Sequence, residues 1–318
     1  MTSRPIAIYY EHPDWFRPLF AELDARGINY VKLNASCHSF DPVAAGPDFS
    51  LFFNRMSASA HLRGSSQAIF FTQSYLTYLE TVDVRVINGT RAFALEISKA
   101  RQLQLFNSLG LRFPKTQVVN CANEILAAAL KLGFPLLVKP NIGGRGGGIV
   151  RVNSIEQLEA AIDKASLNFG IDQTALVQEF IPARNGHITR VETLGGKFLY
   201  AIDIFPTGEN FNLCPAEICQ VESVAAFLEA QPRDAPKVGL KVEGYAPPQE
   251  IIDAVEKIVD AAQIDVGSIE YIVDDRDGSV VYYDINALSN FVANALPILG
   301  FDPHVRLVDY LEKEKEGA

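Results

Sequence analysis

The stretch FPLLVKPNIGGRGGGIV at residues 134–150 restricts the fold more than any other part of the chain. An apolar run ends in Lys139, a loop follows in which five of six residues are glycine, and a second apolar run begins. A backbone stripped of side chains serves either as a flexible connection or as a surface whose successive N–H groups close on phosphate oxygens. Linkers are usually richer in serine and separate finished domains, whereas this loop joins two strand-like runs that read as one hairpin. GGRGGG is neither the G-x-G-x-x-G that opens a dinucleotide-binding helix nor the G-x-x-x-x-G-K-[ST] of a phosphate loop. The phosphate-binding form that remains is a flap over a nucleotide, with Lys139 as a point charge for its phosphates. A plain flexible loop is the competing reading.

Length and charge frame that flap. The 318 residues, 48% hydrophobic and 21% charged, exceed a usual domain of about 100–200 residues and imply two or three subdomains. A formal charge of -10 without a Lys/Arg cluster speaks against a nucleic-acid partner. No apolar run approaches the ~18 residues of a membrane span, and the first apolar stretch is too short for a signal peptide, so a cytoplasmic protein is expected. Cys37, Cys121, Cys214 and Cys219 have neither CxxC spacing nor a suitably placed His and are expected as reduced thiols.

Strand-like and helix-like segments alternate through RPIAIYY, WFRPLFAELDARG, NYVKL, DFSLFFN and VRVIN, which predicts a small parallel α/β unit. From Thr90 as N-cap, RAFALEISKARQLQLFNSLG reads as one helix closed by Gly110. The chain finishes with a helix over PQEIIDAVEKIVDAAQ, a hairpin VGSIEYIV-DDRDGS-VVYYDIN and a terminal helix.

The hairpin carries the acids that triphosphate chemistry needs, since Mg²⁺ takes oxygen ligands. Asp284 and Asn286 are two apart and share one face of a strand, with Tyr283 and Ile285 on the other. A two-residue turn at Asp277 and Gly278 would send Glu270 to the opposite face. A three-residue loop, Arg276, Asp277 and a left-handed Gly278, pairs Glu270 with Asp284, and a metal site predicts that register. Facing carboxylates repel, so a bound cation is one reason for such a pair; a solvated polar face is the alternative.

Taken in order, Lys99 in EISKARQLQLFNSLGLRFPKT, Lys139 in LLVKP, the glycine loop, LVQEFI at 176–181, FNL at 211–213 and the hairpin resemble the ATP-grasp superfamily. The branch it is most similar to is that of the RimK-like glutamate ligases and glutathione-synthase relatives. The resemblance implies an α/β (α+β) ATP-grasp fold: a Rossmann-like pre-ATP-grasp domain at 1–88, a central subdomain with the flap at 89–178, and a C-terminal subdomain with the metal hairpin at 179–318. It assigns Lys99 and Lys139 to the ATP phosphates and Gly143, Gly144, Gly146 and Gly147 to the flap. The backbone of Glu179 and Ile181 would meet adenine, Gln178 and Phe180 would line its pocket, and Asn212 would sit near the phosphates or metal. Glu270, Asp284 and Asn286 would hold one or two Mg²⁺ ions, with Mn²⁺ as a substitute.

The implied activity is a carboxylate–amine ligase that forms an amide through an acylphosphate and releases ADP and phosphate. Its substrates would be small-molecule or peptide carboxylates and amines, and a homo-oligomer is left open. A phosphotransferase on the same scaffold and a non-catalytic ATP-binding regulatory protein are the alternatives. Two family features are altered. The family's Asp-x-Arg reads HITR, so Arg190 is kept but Ile188, or His187 after a shift, replaces the acid. A second Arg before Asn212 is missing, because no Arg or Lys lies between Lys197 and Arg233. Arg190 and the flap's Arg145 therefore become the candidate catalytic cations, unless Arg190 is a surface residue paired with Glu192. Arg55, Ser289 and Asn290 are weaker candidates for substrate contact.

Overall fold

The computed structural model describes residues 4–12, 14–206 and 240–317. Asn212, Cys214 and Cys219 lie outside the described residues. Strands β1 (Ile6–Tyr10), β2 (Tyr30–Asn34), β3 (Leu51–Arg55) and β4 (Val86–Ile87) form a parallel sheet in the order β2-β1-β3-β4. IAIYY and LFFNR are apolar at successive positions, and strand side chains alternate between faces, so both faces need cover. Ile6, Ile8 and Phe53 pack with α1 (Arg17–Ala25), whereas Ala7, Tyr9 and Phe52 pack with α2 (Ser66–Thr81).

The central lobe is an antiparallel sheet, β5-β8-β6-β7, made of β5 (Thr116–Val119), β6 (Leu136–Pro140), β7 (Val150–Val152) and β8 (Ala175–Glu179). The apolar faces of α5 (Asn123–Leu132) and α6 (Ile155–Asp163) cover it through Ile125, Ala129 and Leu158. The C-terminal sheet comprises β9 (Ile188–Leu194), β10 (Lys197–Phe205), β11 (Lys241–Tyr245), β12 (Val266–Val273) and β13 (Val280–Asn286), antiparallel in the order β11-β10-β9-β12-β13. One face packs on α3 (Thr90–Glu96), α4 (Lys99–Ser108) and α7 (Gln249–Ala262). Ile188, Ile202 and Val266 on the other face share a core with α1 and with the terminal helix Pro303–Glu316. Among the described residues no helix is long and apolar enough to cross a membrane, and Cys37 and Cys121 are free and exposed.

Three expectations change. The run from residue 90 is two helices, because Ile97 leaves helical geometry and the Ser98 hydroxyl accepts from Arg101 N–H to cap a new one. Thr90 is the first helical residue, Gly89 is the cap position, and Glu80 accepts from both the N–H and the hydroxyl of Thr90. Both helices, placed with the central subdomain by resemblance, instead bury Ala92, Leu95, Leu103 and Phe106 in the core of the C-terminal sheet. The central lobe begins at β5.

The hairpin reaches the register a metal site requires by a different device. Its tip has four residues, 275–278: Asp274 N–H donates to Ser279 O at 2.9 Å, Gly278 is left-handed at φ +79°, and Val273 pairs with Val280. Continued unbroken, that register would set Tyr283 opposite Glu270. Tyr283 is instead an extra residue between the pairs Tyr271–Tyr282 and Glu270–Asp284. A bulge of this kind shifts pairing by one and re-aims side chains. Tyr283 therefore reaches Glu270 instead of facing away from it.

Candidate active site

The three lobes meet around a cleft of about 660 Å³, a volume usual for small-molecule sites of about 300–1,000 Å³. At one end Leu137, Val150, Phe180 and Ile181 make an apolar slot, and the Arg151 guanidinium lies 4.0 Å from the Phe180 ring centroid. Gln178 lines the slot with its amide donating to Thr116 Oγ1 at 2.8 Å. The Glu179 carboxylate accepts from Lys115 N–H at 2.9 Å, and the Glu179 N–H donates to Lys115 O at 2.9 Å. Ile181 is 5% exposed, and its N–H has no acceptor among the described residues.

Lys139 of β6 and Lys99, the first residue of α4, reach the middle of the cleft. Burial pushes the Lys139 ammonium down to about 7, and the charge of Lys99 adds to the shift. Burial acts the same way on Lys99, but its ion pair with Asp284, helped by Glu270 and Glu96, leaves it above the ordinary lysine value. The flap closes this region. Gly147 N–H donates to Gly144 O at 3.0 Å, and Arg145, Gly146 and Gly148 are left-handed. A Cβ on Gly144 would stand 2.5 Å from Ser59 Cβ, and one on Gly147 would stand 3.5 Å from Leu62. The flap thus lies on the 3-10 turn Ala58–Arg63 of the N-terminal lobe, and that approach demands glycine at 144.

Glu270, Asp284 and Asn286 form the acidic wall. Glu270 accepts from Tyr283 OH at 2.7 Å, from Arg190 Nη1 at 3.2 Å and from Asn286 Nδ2 at 3.3 Å. Burial raises the Glu270 carboxyl, Arg190 lowers it, and the neighbouring Asp284 raises it again. Arg190 is no surface residue: it is 5% exposed, with Nε 2.7 Å from Glu192 Oε1 and Nη2 2.8 Å from Ser289 Oγ. Burial opposes its charge, but Glu192 and Glu270 hold the guanidinium above its ordinary value. Ser289 also donates to Glu192, and Arg55 of β3 donates to Ser289 O and, at 3.5 Å, to Asn290 Oδ1. The three weaker candidates therefore gather beside Arg190.

Two carboxylates and an amide oxygen suit a hard divalent cation, and the Lys99 ammonium on Asp284 shows that this wall takes positive charge. Among the described residues, no group of three His, Cys, Asp or Glu side chains could hold a metal, so Asn286 would have to complete the set.

Sequence reasoning missed several residues on the cleft. Strand alternation places Tyr283 on the far face, and the bulge that turns it to Glu270 leaves no local signal. Glu96 accepts from Ala287 N–H at 2.7 Å and Leu288 N–H at 3.2 Å, and burial raises it to about 7. Trp15, Ser57 and Ser59 enter from the carboxyl ends of β1 and β3, where the strand order switches sides; that rule for open α/β sheets could have found them.

Residues 105–213 match the family described as D-ala D-ala ligase C-terminus. A probable alpha-L-glutamate ligase of Rhodopirellula baltica is 25% identical over 236 residues, 72% of this chain and 57% of the relative. D-alanine–D-alanine ligase B of Pseudomonas syringae pv. tomato is 37% identical over 117 residues, 37% of this chain and 35% of the relative. The match thus spans about half the length of the first relative and about a third of the second. Among solved structures, the ATP-grasp ligase PsnB complexed with a phosphomimetic variant of its minimal precursor, Mg and ADP superposes with a TM-score of 0.67 at 16% identity, covering 97% of this chain and 98% of that one. D-alanine–D-alanine ligase from Bacillus anthracis, complexed with ATP, superposes with a TM-score of 0.65 at 15% identity over 100% of both chains. The chain thus shares the fold of these ATP-grasp ligases along its whole length and is similar in sequence to D-alanine–D-alanine and glutamate ligases through its middle.

Proposed function

We propose that the protein is an ATP- and Mg²⁺-dependent ligase that joins a carboxylate to an amine, releasing ADP and phosphate. The observation that carries this reading is the meeting of Lys99 and Lys139 with Glu270, Asp284 and Asn286 in one cleft under a glycine flap. The relatives named as ligases and the neighbours complexed with ATP, or with Mg and ADP, support it.

Adenine would lie in the slot of Leu137, Gln178 and Phe180, against the backbone of Glu179 and Ile181. Lys99, Lys139 and the N–H groups of Gly143, Gly144, Gly146 and Gly147 would neutralise and orient the phosphates. Glu270, Asp284 and Asn286 would hold one or two Mg²⁺ ions, or Mn²⁺, which would supply positive charge to offset that of the phosphates. Arg190, held by Glu192 and Ser289, would stabilise the charge that develops as the carboxylate takes up the phosphoryl group, and Arg145 would reach the same region from the flap. The flap's seat on Ser59 would exclude water from an acylphosphate until the amine captures it. The substrates would enter from the side of Trp15, Ser57 and Asn290, as small molecules or a peptide end, in the cytoplasm where ATP is supplied.

Incubation with ATP, Mg²⁺ and pooled carboxylates and amines, followed by mass spectrometry, tests the reading. An amide formed with stoichiometric ADP supports it. A stable phosphorylated product would make the protein a kinase, and ATP binding without turnover would make it a regulatory module.

A further inference from the structure

Lys99 and Lys139 stand on different lobes: α4 is packed into the core of the five-stranded sheet, and β6 into that of the four-stranded sheet. The contact that ties these lobes together beside the two lysines is Asn141, two residues beyond Lys139 and 7% exposed. Its Oδ1 accepts from Ala100 N–H at 2.9 Å and from the Ser98 hydroxyl at 3.2 Å, and its carbonyl accepts from Lys99 N–H at 3.3 Å. Its Nδ2 donates to Asp172 Oδ2 at 2.7 Å, and its own N–H to Thr174 O at 2.9 Å. The first N–H groups of a helix have no partner within it. Here one residue of another lobe meets two of them, Ala100 N–H with its side-chain oxygen and Lys99 N–H with its carbonyl, and so fixes where α4, and Lys99 with it, begins. Asn141 is not itself part of the cleft wall, and both ends of its amide are already engaged.

We propose that Asn141 is a positioning residue: it sets the spacing of Lys99 and Lys139 across the lobe boundary, and through that spacing the affinity of the cleft for the polyphosphate of a nucleoside triphosphate. This rests on the nucleotide reading above. Asp172 belongs to the same device, because it holds the amide in the orientation that keeps Oδ1 on α4.

The test is calorimetric titration of the full chain and its variants with ATP and, separately, with adenosine, which would occupy only the apolar slot. Asn141→Ala is expected to weaken ATP about tenfold or more, the usual effect of removing a group that orients a binding residue. Adenosine affinity is expected to stay within about twofold, because the slot is untouched. Asn141→Asp keeps the shape but sets two carboxylates against each other, and a similar loss is expected. Combining it with Asp172→Asn restores a donor facing an acceptor and should bring ATP affinity back to within about threefold of the natural chain. Parallel losses for ATP and adenosine, or no recovery in the combined variant, would overturn the inference. If Lys139→Ala weakens ATP and the Asn141 variants do not, the positioning role falls and the nucleotide site stands. If the natural chain does not bind ATP, both fall.

Discussion

The ammonium of Lys99 is bonded to the carboxylate of Asp284, a residue 185 positions later on the edge strand of the C-terminal sheet. In the free cleft the group assigned to phosphate and the group assigned to metal neutralise each other. Asp284→Asn should therefore have opposite effects in the two conditions. Without metal it frees Lys99 and removes a charge that repels phosphate, so ATP should bind about tenfold more tightly in EDTA, about 1.4 kcal/mol. With Mg²⁺ it should bind more weakly than to the natural chain. Calorimetry in both buffers checks this, and weaker binding in EDTA would refute the shared use of Asp284.

Lys139 should make ATP binding depend on pH. Burial holds its ammonium down to about 7 in the folded chain, against about 10.4 when unfolded. Between those values the unfolded chain binds more protons than the folded one, so stability should rise with pH across that window and show no such gain below about 7. Phosphates favour the ammonium, so ATP binding at pH 8 should take up close to one proton at this residue, and affinity should fall as pH climbs past about 7. Titration at pH 8 in buffers of different ionisation enthalpy measures the uptake. Lys139→Met should abolish it; an uptake that survives the substitution comes from elsewhere.

Glu192 is 0% exposed and pairs with both Arg190 and Ser289. Glu192→Ala would leave a buried guanidinium partly unpaired, a change that costs about 3–5 kcal/mol. Urea unfolding should show a lower midpoint at unchanged slope, with the extrapolated unfolding free energy down by that amount. A loss under about 1 kcal/mol would mean that water reaches Arg190.

Gly144 and Ser59 should behave as one unit. Gly144→Ala brings a methyl to within 2.5 Å of Ser59 Cβ, so the flap must lift. ATP should then bind more weakly and the 143–148 loop should be cut faster by a nonspecific protease. Ser59→Gly combined with Gly144→Ala should recover much of both, a coupling of about 0.5–3 kcal/mol for residues in contact. Additive effects would show that the flap does not rest on this turn.

The parts of the cleft that the chain announces are those whose chemistry is local. A lysine at the end of an apolar strand, a run of glycines, and two polar residues two apart on a strand can each be recognised without knowing their partners. What stays hidden depends on a distant neighbour. The bareness of Gly144 comes from Ser59, and the start of α4 depends on Asn141 as well as on Ser98. Arg190 looks like a sheet-surface charge until β12 brings Glu270 beside it and the chain after β13 brings Ser289. The four-residue tip and the bulge show a further limit: the pairing of Glu270 with Asp284 that a metal site calls for is present, but not through a three-residue loop, because two register shifts of opposite sign leave the same partners facing each other.

That bulge divides the hairpin into two reading frames. Between the tip and Tyr283 the strands are paired in the phase set by the tip, and after Tyr283 they are paired one residue out of step. The tip can therefore drift, lengthening or shortening as a surface loop does, provided the paired positions on either side stay in phase. The length of β13 itself has no such freedom. Loss of one residue between Val280 and Tyr283 would either erase the bulge or turn Asp284 and Asn286 toward the side where Ile269, Tyr282 and Ile285 are buried. In this chain a single extra residue is what keeps two oxygen donors out of an apolar core and on the wall of a cleft.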